Sequence, residues 1–183
     1  NDKKTHSSEE KIIQTFYQLT SGVVYLHGRG IIHRDIKPQN ILHKNGNYKI
    51  ADVGCAKGVP QDYTHSGTGK SAGTPIYQAP EIYYAESSVL KYKDLRGSDC
   101  YSLGLTLLAM LDVSDDFVFE QFKIRDLNDK KARIDEKIAT LKLRYNQGPL
   151  LDIIACLLNT EPAQRKSAVE VKRLLEQSYP AIC

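Results

Sequence analysis

The stretch His33-Arg34-Asp35-Ile36-Lys37-Pro38-Gln39-Asn40 lies between two apolar dipeptides, Ile31-Ile32 before it and Ile41-Leu42 after it. A turn signal at Asn45-Gly46 and then Asp52-Val53-Gly54 follow. The spacing is what chemistry on a phosphate needs. Asp35 is a carboxylate able to accept a hydroxyl proton, and Lys37, two residues on, is a cation able to face a transferred phosphoryl group. Asn40 and Asp52 offer two oxygen ligands suited to a hard Mg²⁺ ion.

Asn-Gly between apolar runs is a strong hairpin signal, and Ile41-Leu42 and Tyr48-Lys49-Ile50 flank it. The resulting ribbon carries Asn40 at one end and Asp52 at the other, and folds them toward one ion. Upstream, Ile12, Phe16, Leu19, Val23 and Leu26 recur at helical spacing, with Gly28 placed to end the helix. Residues 1–8 are a polar lead-in, and Ser7 with Glu10 predicts a capping box at the start of that helix. Gly28-Arg29-Gly30 lacks the third glycine and the preceding strand of a dinucleotide loop, so it reads as helix termination.

From Cys55 to Ala72 small and polar residues predominate, which predicts a long loop of the kind that usually carries function. Tyr63, Thr64, Ser66, Thr68 and Ser71 are phosphate acceptors in it, with Arg34 and Lys57 as cations to pair with a phosphate. Taken singly, most of these hydroxyls read as solvated loop. Gly67-Thr68-Gly69-Lys70-Ser71 imitates the end of a Walker A loop. The glycine required five positions before Gly69 is Thr64, and Gly73-Thr74-Pro75 breaks the helix that should follow.

Beyond Gly73-Thr74-Pro75-Ile76-Tyr77-Gln78-Ala79-Pro80-Glu81, the run from Asp99 to Leu111 predicts a helix apolar on all sides and hence buried. Asp99 at its start also suits a cap. Residues 112–128 are acidic and irregular. An amphipathic helix follows from Asp129, with Ile134, Ile138 and Leu141 on one face. Leu150–Leu158 predicts a buried helix and Ser167–Gln177 an amphipathic one. There are 183 residues with a formal net charge of +3, too small to argue for nucleic acid or membrane binding. Cys55, Cys100, Cys156 and Cys183 are scattered without Cys-x-x-Cys spacing, which argues against zinc or a disulfide scaffold and for reduced thiols in an intracellular, cytoplasmic protein. No apolar run approaches membrane-spanning length.

In this order the motifs resemble those of eukaryotic-type serine/threonine protein kinases. His33–Asn40 resembles their catalytic loop, Asp52-Val53-Gly54 their metal-binding motif, and Gly73–Glu81 the end of their activation segment. The resemblance implies a mainly α fold, the large C-terminal lobe, spanning 1–183 with a short β-hairpin. In it the catalytic loop is 33–40 and the activation segment 52–81. It implies catalytic roles for Asp35, Lys37 and Thr74, ATP contacts from Lys37, Asn40, Leu42 and Asp52, and Mg²⁺ on Asn40 and Asp52. Asp99 would hold the backbone of the catalytic loop, and Arg165 would pair with Glu81. Protein substrates are the implied partners. The small lobe's glycine-rich loop, strand lysine and glutamate cannot be placed before His33. That predicts a missing N-terminal lobe and little or no activity from these residues alone, with a pseudokinase scaffold as the alternative. Valine replaces the usual phenylalanine at Val53, and tyrosine the usual tryptophan at Tyr101.

Overall fold

Helix α1 (Asp2–Gly28) leads the computed structural model, whose described residues are 2–58, 64–65, 73–83, 90–111, 123–124, 126–145 and 149–183. Its apolar stripe turns Ile13, Phe16, Leu19 and Val23 into the core, each at most 2% exposed. Ile12 and Leu26, expected on that stripe, are half-buried at its edges. The helix passes through Ser7, so the predicted capping box is not a helix start. Gly28 does end it, and Gly30 turns the chain at φ 70.

Among the described residues, the segments after α1 form three two-stranded antiparallel ribbons. β1 (Ile31–Ile32) pairs with β4 (Lys57–Gly58), and β5 (Thr64–His65) pairs with β6 (Leu90–Lys91). Part of the predicted loop is therefore strand. Two-residue ladders are too short to leave a period-2 pattern, and composition alone reads them as loop. β2 (Ile41–Lys44) and β3 (Asn47–Ile50) form the predicted hairpin, with Ile41 opposite Ile50. Asn45 and Gly46 both adopt positive φ, 51 and 76, which a two-residue turn matching the strand twist demands. Gln18 of α1 grips this turn: its Nε2 donates to Gly46 O at 3.3 Å and its Oε1 accepts from Tyr48 N at 2.6 Å.

The core is helical. α2 is the short Pro80–Tyr83. α3 (Tyr92–Leu111) is buried from Ser98 to Leu108, with Leu103, Leu105 and Leu108 at most 1% exposed, and Met110 near its end is 39% exposed. Gly104 lets it approach closely, since a Cβ there would meet Leu158 at 2.8 Å. α4 (Leu127–Tyr145) buries Ile134, Ile138 and Leu141. It starts two residues before the expected Asp129, because Asp126 Oδ1 accepts from the amides of Asn128 and Asp129. α5 (Pro149–Leu157) is the predicted buried helix. α6 (Ala168–Ser178) lies along α1, where Tyr17 donates to Glu176 at 3.0 Å. Its start carries a true capping box: Ser167 Oγ accepts from Glu170 N, and Ser167 N donates to the Glu170 carboxylate at 2.9 Å. Bonds from the Ser167 backbone and hydroxyl hold the Glu170 carboxyl down at about 2. No helix among the described residues is long and apolar enough to cross a membrane. All four cysteines are free, and burial pushes the Cys100 thiol up to about 12.

Arg165 ties the C-terminal helices to the segment around α2. Its Nη1 and Nη2 donate to Glu81 at 2.5 and 3.0 Å, Nη1 also to Gly97 O at 3.0 Å, and Nε to Asn159 O at 2.9 Å. Its guanidinium lies 5.0 Å over the Tyr101 ring, and its side chain is fully buried. Arg165→Ala leaves Glu81 and two carbonyls without their donors, so urea unfolding should show a loss of about 3–5 kcal/mol. A loss below ~1 kcal/mol would show the pair to be ornamental.

Candidate active site

The end of α1 and the middle of α3 clamp the loop His33–Asn40 between them. Asp99 is 1% exposed and lies inside α3, seven residues past its start, so it does not cap that helix. Its Oδ2 accepts from His33 N and its Oδ1 from Arg34 N, both at 2.8 Å. His27 Nε2, from the last turn of α1, lies 2.9 Å from Asp99 Oδ2. One buried carboxylate thus fixes two consecutive amides of the loop. Arg34 can then hold φ 67, a left-handed conformation that non-glycine residues adopt only when the surroundings impose it. Its Nε donates to Cys55 O at 2.6 Å, joining the loop to the segment after Asp52.

His33 makes a second join. Its Nε2 lies 3.0 Å from Ala51 O, and its Nδ1 accepts from Asp35 N at 3.3 Å, a pairing satisfied by the tautomer with its proton on Nε2. At the centre, Asp35 gathers four donors. Oδ1 accepts from Thr74 N at 2.8 Å and Thr74 Oγ1 at 2.7 Å. Oδ2 accepts from Asn40 Nδ2 at 3.0 Å and faces Lys37 Nζ at 2.9 Å. Lys37 also donates to Thr74 Oγ1 at 2.6 Å. Burial pushes the Asp35 carboxyl up, but the bonds from Lys37 and Thr74 together outweigh it and hold the group below the usual carboxylate range. Asp35 is therefore an ionised carboxylate at neutral pH, ringed by exchangeable donors.

Asn40 and Asp52, the candidate oxygen ligands, sit at the open end of the hairpin, where Ala51 N donates to Asn40 O at 2.8 Å. Asn40 spends its amide hydrogens on Asp35 O and Oδ2, so its Oδ1 remains as an acceptor. Asp52 is exposed at φ 60, with Oδ1 accepting from Gly54 N at 3.2 Å. Leu42 and Val53 are 61% and 62% exposed beside them.

Residues 1–179 match the family model described as a protein kinase domain. The chain belongs to the protein kinase family. Over 172 residues, 93% of this chain, it is 31% identical to CBL-interacting protein kinase 11 of Oryza sativa subsp. japonica, covering 32% of that protein. It is 33% identical over 174 residues to serine/threonine-protein kinase PEPKR2 of Arabidopsis thaliana, 91% of this chain and 33% of that protein. A shorter match, 46% over 96 residues, joins it to serine/threonine-protein kinase ppk34 of Schizosaccharomyces pombe, 51% of this chain and 25% of that protein. The chain spans about a third or less of the length of these relatives.

Within this kinase-family fold, Asp35, Lys37, Asn40 and Thr74 form one hydrogen-bonded cluster, with Asp52 and Leu42 on the adjoining hairpin. Tyr63, Ser66, Thr68, Lys70 and Ser71 lie outside the described residues, as does the Walker-like Gly67–Ser71. Sequence reading missed His27, whose only signal is a histidine one residue before the helix-ending Gly28. It also missed what Gly73 does. At φ 103 its would-be Cβ falls 2.0 Å from Arg34 O, so the segment bearing Thr74 can reach Asp35 only without a side chain there. Gly73→Ala combines a strained backbone with a clash. It should cost about 2–4 kcal/mol in chemical denaturation, and an unchanged unfolding midpoint would refute the close approach.

Proposed function

We propose that this chain carries the phosphoryl-transfer site of a serine/threonine protein kinase that uses ATP and Mg²⁺. One observation carries this reading most: Asp35, Lys37, Asn40 and Thr74 meet in a single hydrogen-bonded cluster next to a second carboxylate, Asp52. The donor set fits the metal. Asn40 Oδ1 and the second oxygen of Asp52 are hard ligands at the open end of one hairpin. Lys37 and these two residues would hold the nucleotide phosphates, with Leu42 as the apolar contact on this side. When bound, ATP with Mg²⁺ supplies the γ-phosphoryl group and neutralises charge on its oxygens.

The chain's own residues do the rest. Asp35 accepts the proton of the attacking hydroxyl. Its lone pairs are already taken at rest, so an incoming hydroxyl replaces the Thr74 Oγ–H, and Lys37 swings from Asp35 toward the phosphoryl oxygens. Thr74 and the Gly73–Glu81 segment form the floor on which a protein substrate lies. Residues 1–183 act as the large, C-terminal lobe. A small lobe supplies the remaining phosphate clamp, and exposed Leu42 and Val53 support such a partner surface. Positioning of two reactants is worth roughly 7–11 kcal/mol, so these residues alone should be inactive or nearly so. The free thiols support a reducing, cytoplasmic location.

The test is transfer of radiolabelled phosphate from ATP·Mg²⁺ to matched peptides bearing serine, threonine or tyrosine, with the small lobe present. Transfer to serine and threonine alone is the expected result. No transfer to any peptide or to a generic protein substrate would favour the pseudokinase scaffold.

A further inference from the structure

We propose that the ribbon β5·β6 is a strap that seats the Gly73–Glu81 segment on the catalytic cluster, so that, on the kinase reading above, phosphoryl transfer needs no phosphate on residues 52–81. That segment is fastened at both ends. At its start, Arg34 Nε donates to Cys55 O at 2.6 Å, and Ile31 and Ile32 of β1 stand opposite Gly58 and Lys57 of β4. At its end, Thr74 is bonded to Asp35, Ser102 Oγ of α3 donates to Tyr77 O at 2.7 Å, and Arg165 holds Glu81.

Between Gly58 and Gly73 lie 14 residues, enough to span about 50 Å when extended. Drawing the far end of such a stretch down onto Asp35 costs loop-closure entropy. β5 supplies a tie in the middle, where Thr64 stands opposite Lys91 and His65 opposite Leu90. The spans left on either side of it, 59–63 and 66–72, are five and seven residues long. Gly73 and Thr74 then start from a fixed point rather than from Gly58.

The other half of the ribbon decides what the tie is anchored to. β6 runs directly into α3, whose first residue is Tyr92. α3 also carries Asp99, which fixes the amides of His33 and Arg34, and Ser102, which fixes Tyr77 O. One rigid helix therefore sets the positions of the catalytic loop, the floor segment and the strap. A phosphate orders a loop by pairing with cations. The cations proposed for that purpose are already engaged: Arg34 spends Nε on Cys55 O, and Lys57 has an interaction of its own. A backbone ladder orders the same stretch with no added charge.

The test uses the protein with its small lobe and the peptide assay above. The combined variant Tyr63→Phe, Thr64→Val, Ser66→Ala, Thr68→Ala and Ser71→Ala should keep kcat/KM within about 5-fold of the unmodified protein; a larger loss overturns the proposal. Thr64→Pro with His65→Pro removes both β5 donors. It should lower kcat/KM for the peptide at least ~10-fold with KM for ATP little changed. Gly73 and Thr74 amides should exchange faster while those of α3 keep their protection. Unchanged exchange at Gly73 and Thr74 would make the ribbon a local feature and overturn its seating role. Adjacent antiparallel pairs alternate in spacing, so one of Thr64/Lys91 and His65/Leu90 is the closer pair that a disulfide suits. Two cysteines placed there should cross-link under mild oxidation, and the oxidised protein should keep its rate within about 5-fold. No cross-link at either pair, or activity that returns only on reduction, overturns the strap. Exchange and cross-linking are read without ATP, so their failure and the failure of the kinase reading are separate results.

Discussion

Asp35→Asn should lower kcat for phosphoryl transfer about 10²–10⁴-fold, measured with the small lobe present and with KM for ATP little changed. The substitution keeps the shape and removes the proton acceptor. It also places an amide NH₂ where donors already point. Either Thr74 N and Oγ1 on one side, or Asn40 Nδ2 and Lys37 Nζ on the other, would then face another donor. A local cost of about 1–3 kcal/mol follows from the lost pairing, and a thermal melt separates it from the chemical effect. The two respond differently to pH. The folded-state carboxyl is depressed below its ordinary value of 3.8. Its contribution to stability is therefore fully present above about pH 5 and is lost as pH falls through the lowered folded value. The stability gap between the two proteins should be flat from about pH 5 to 8 and should narrow in more acidic solution. A gap that widened toward acid would mean the Asp35 carboxyl is raised, and would sink the account of its surroundings.

Asp99→Ala should be among the most damaging single changes, at about 3–5 kcal/mol. It strips the acceptor from two loop amides and from His27, in a site only 1% exposed to solvent that could replace it. Denaturant titration gives the size of the loss. Amide hydrogen exchange gives its place, since His33 and Arg34 should lose protection at once while the buried turns of α5 follow only the global change. Asp99→Asn keeps one acceptor and should fall between the two. If His33 and Arg34 exchanged no faster in Asp99→Ala than the rest of the chain, the clamp would not be what fixes the loop.

Much of this site was legible beforehand, for a physical reason. His33–Asn40, Asn45-Gly46, Asp52 and Gly73–Glu81 are short-range patterns in which residue type at fixed spacing stands directly for local geometry. The hairpin followed from two residues because few others accept positive φ in succession. The apolar helix ending at Leu111 followed because burial on all sides leaves no polar face. What escaped was long-range or sterically negative. His27 matters through a residue 72 positions away. Gly73 matters through the atom it lacks. The two-residue ladders β1·β4 and β5·β6 exist because their partners are brought near by the rest of the fold. The capping-box signature was read at Ser7 and missed at Ser167, because Ser-x-x-Glu is informative only where a helix has its end, and α1 had not ended there.

The pairing of α1 with α6 bears on how the chain reaches its folded state at all. Tyr17 and Glu176 are 159 residues apart, and a ribosome working at about 5–20 residues per second needs roughly 8–32 s to cover that interval. During that time Phe16, Leu19 and Val23 have been synthesised while the helix that lies along α1 has not. An amphipathic helix left uncovered for so long is a target for holding chaperones and for self-association. The same non-local closure raises contact order and slows folding after release. Yield in cells should accordingly respond to translation speed and chaperone supply at least as strongly as to any single residue of the site.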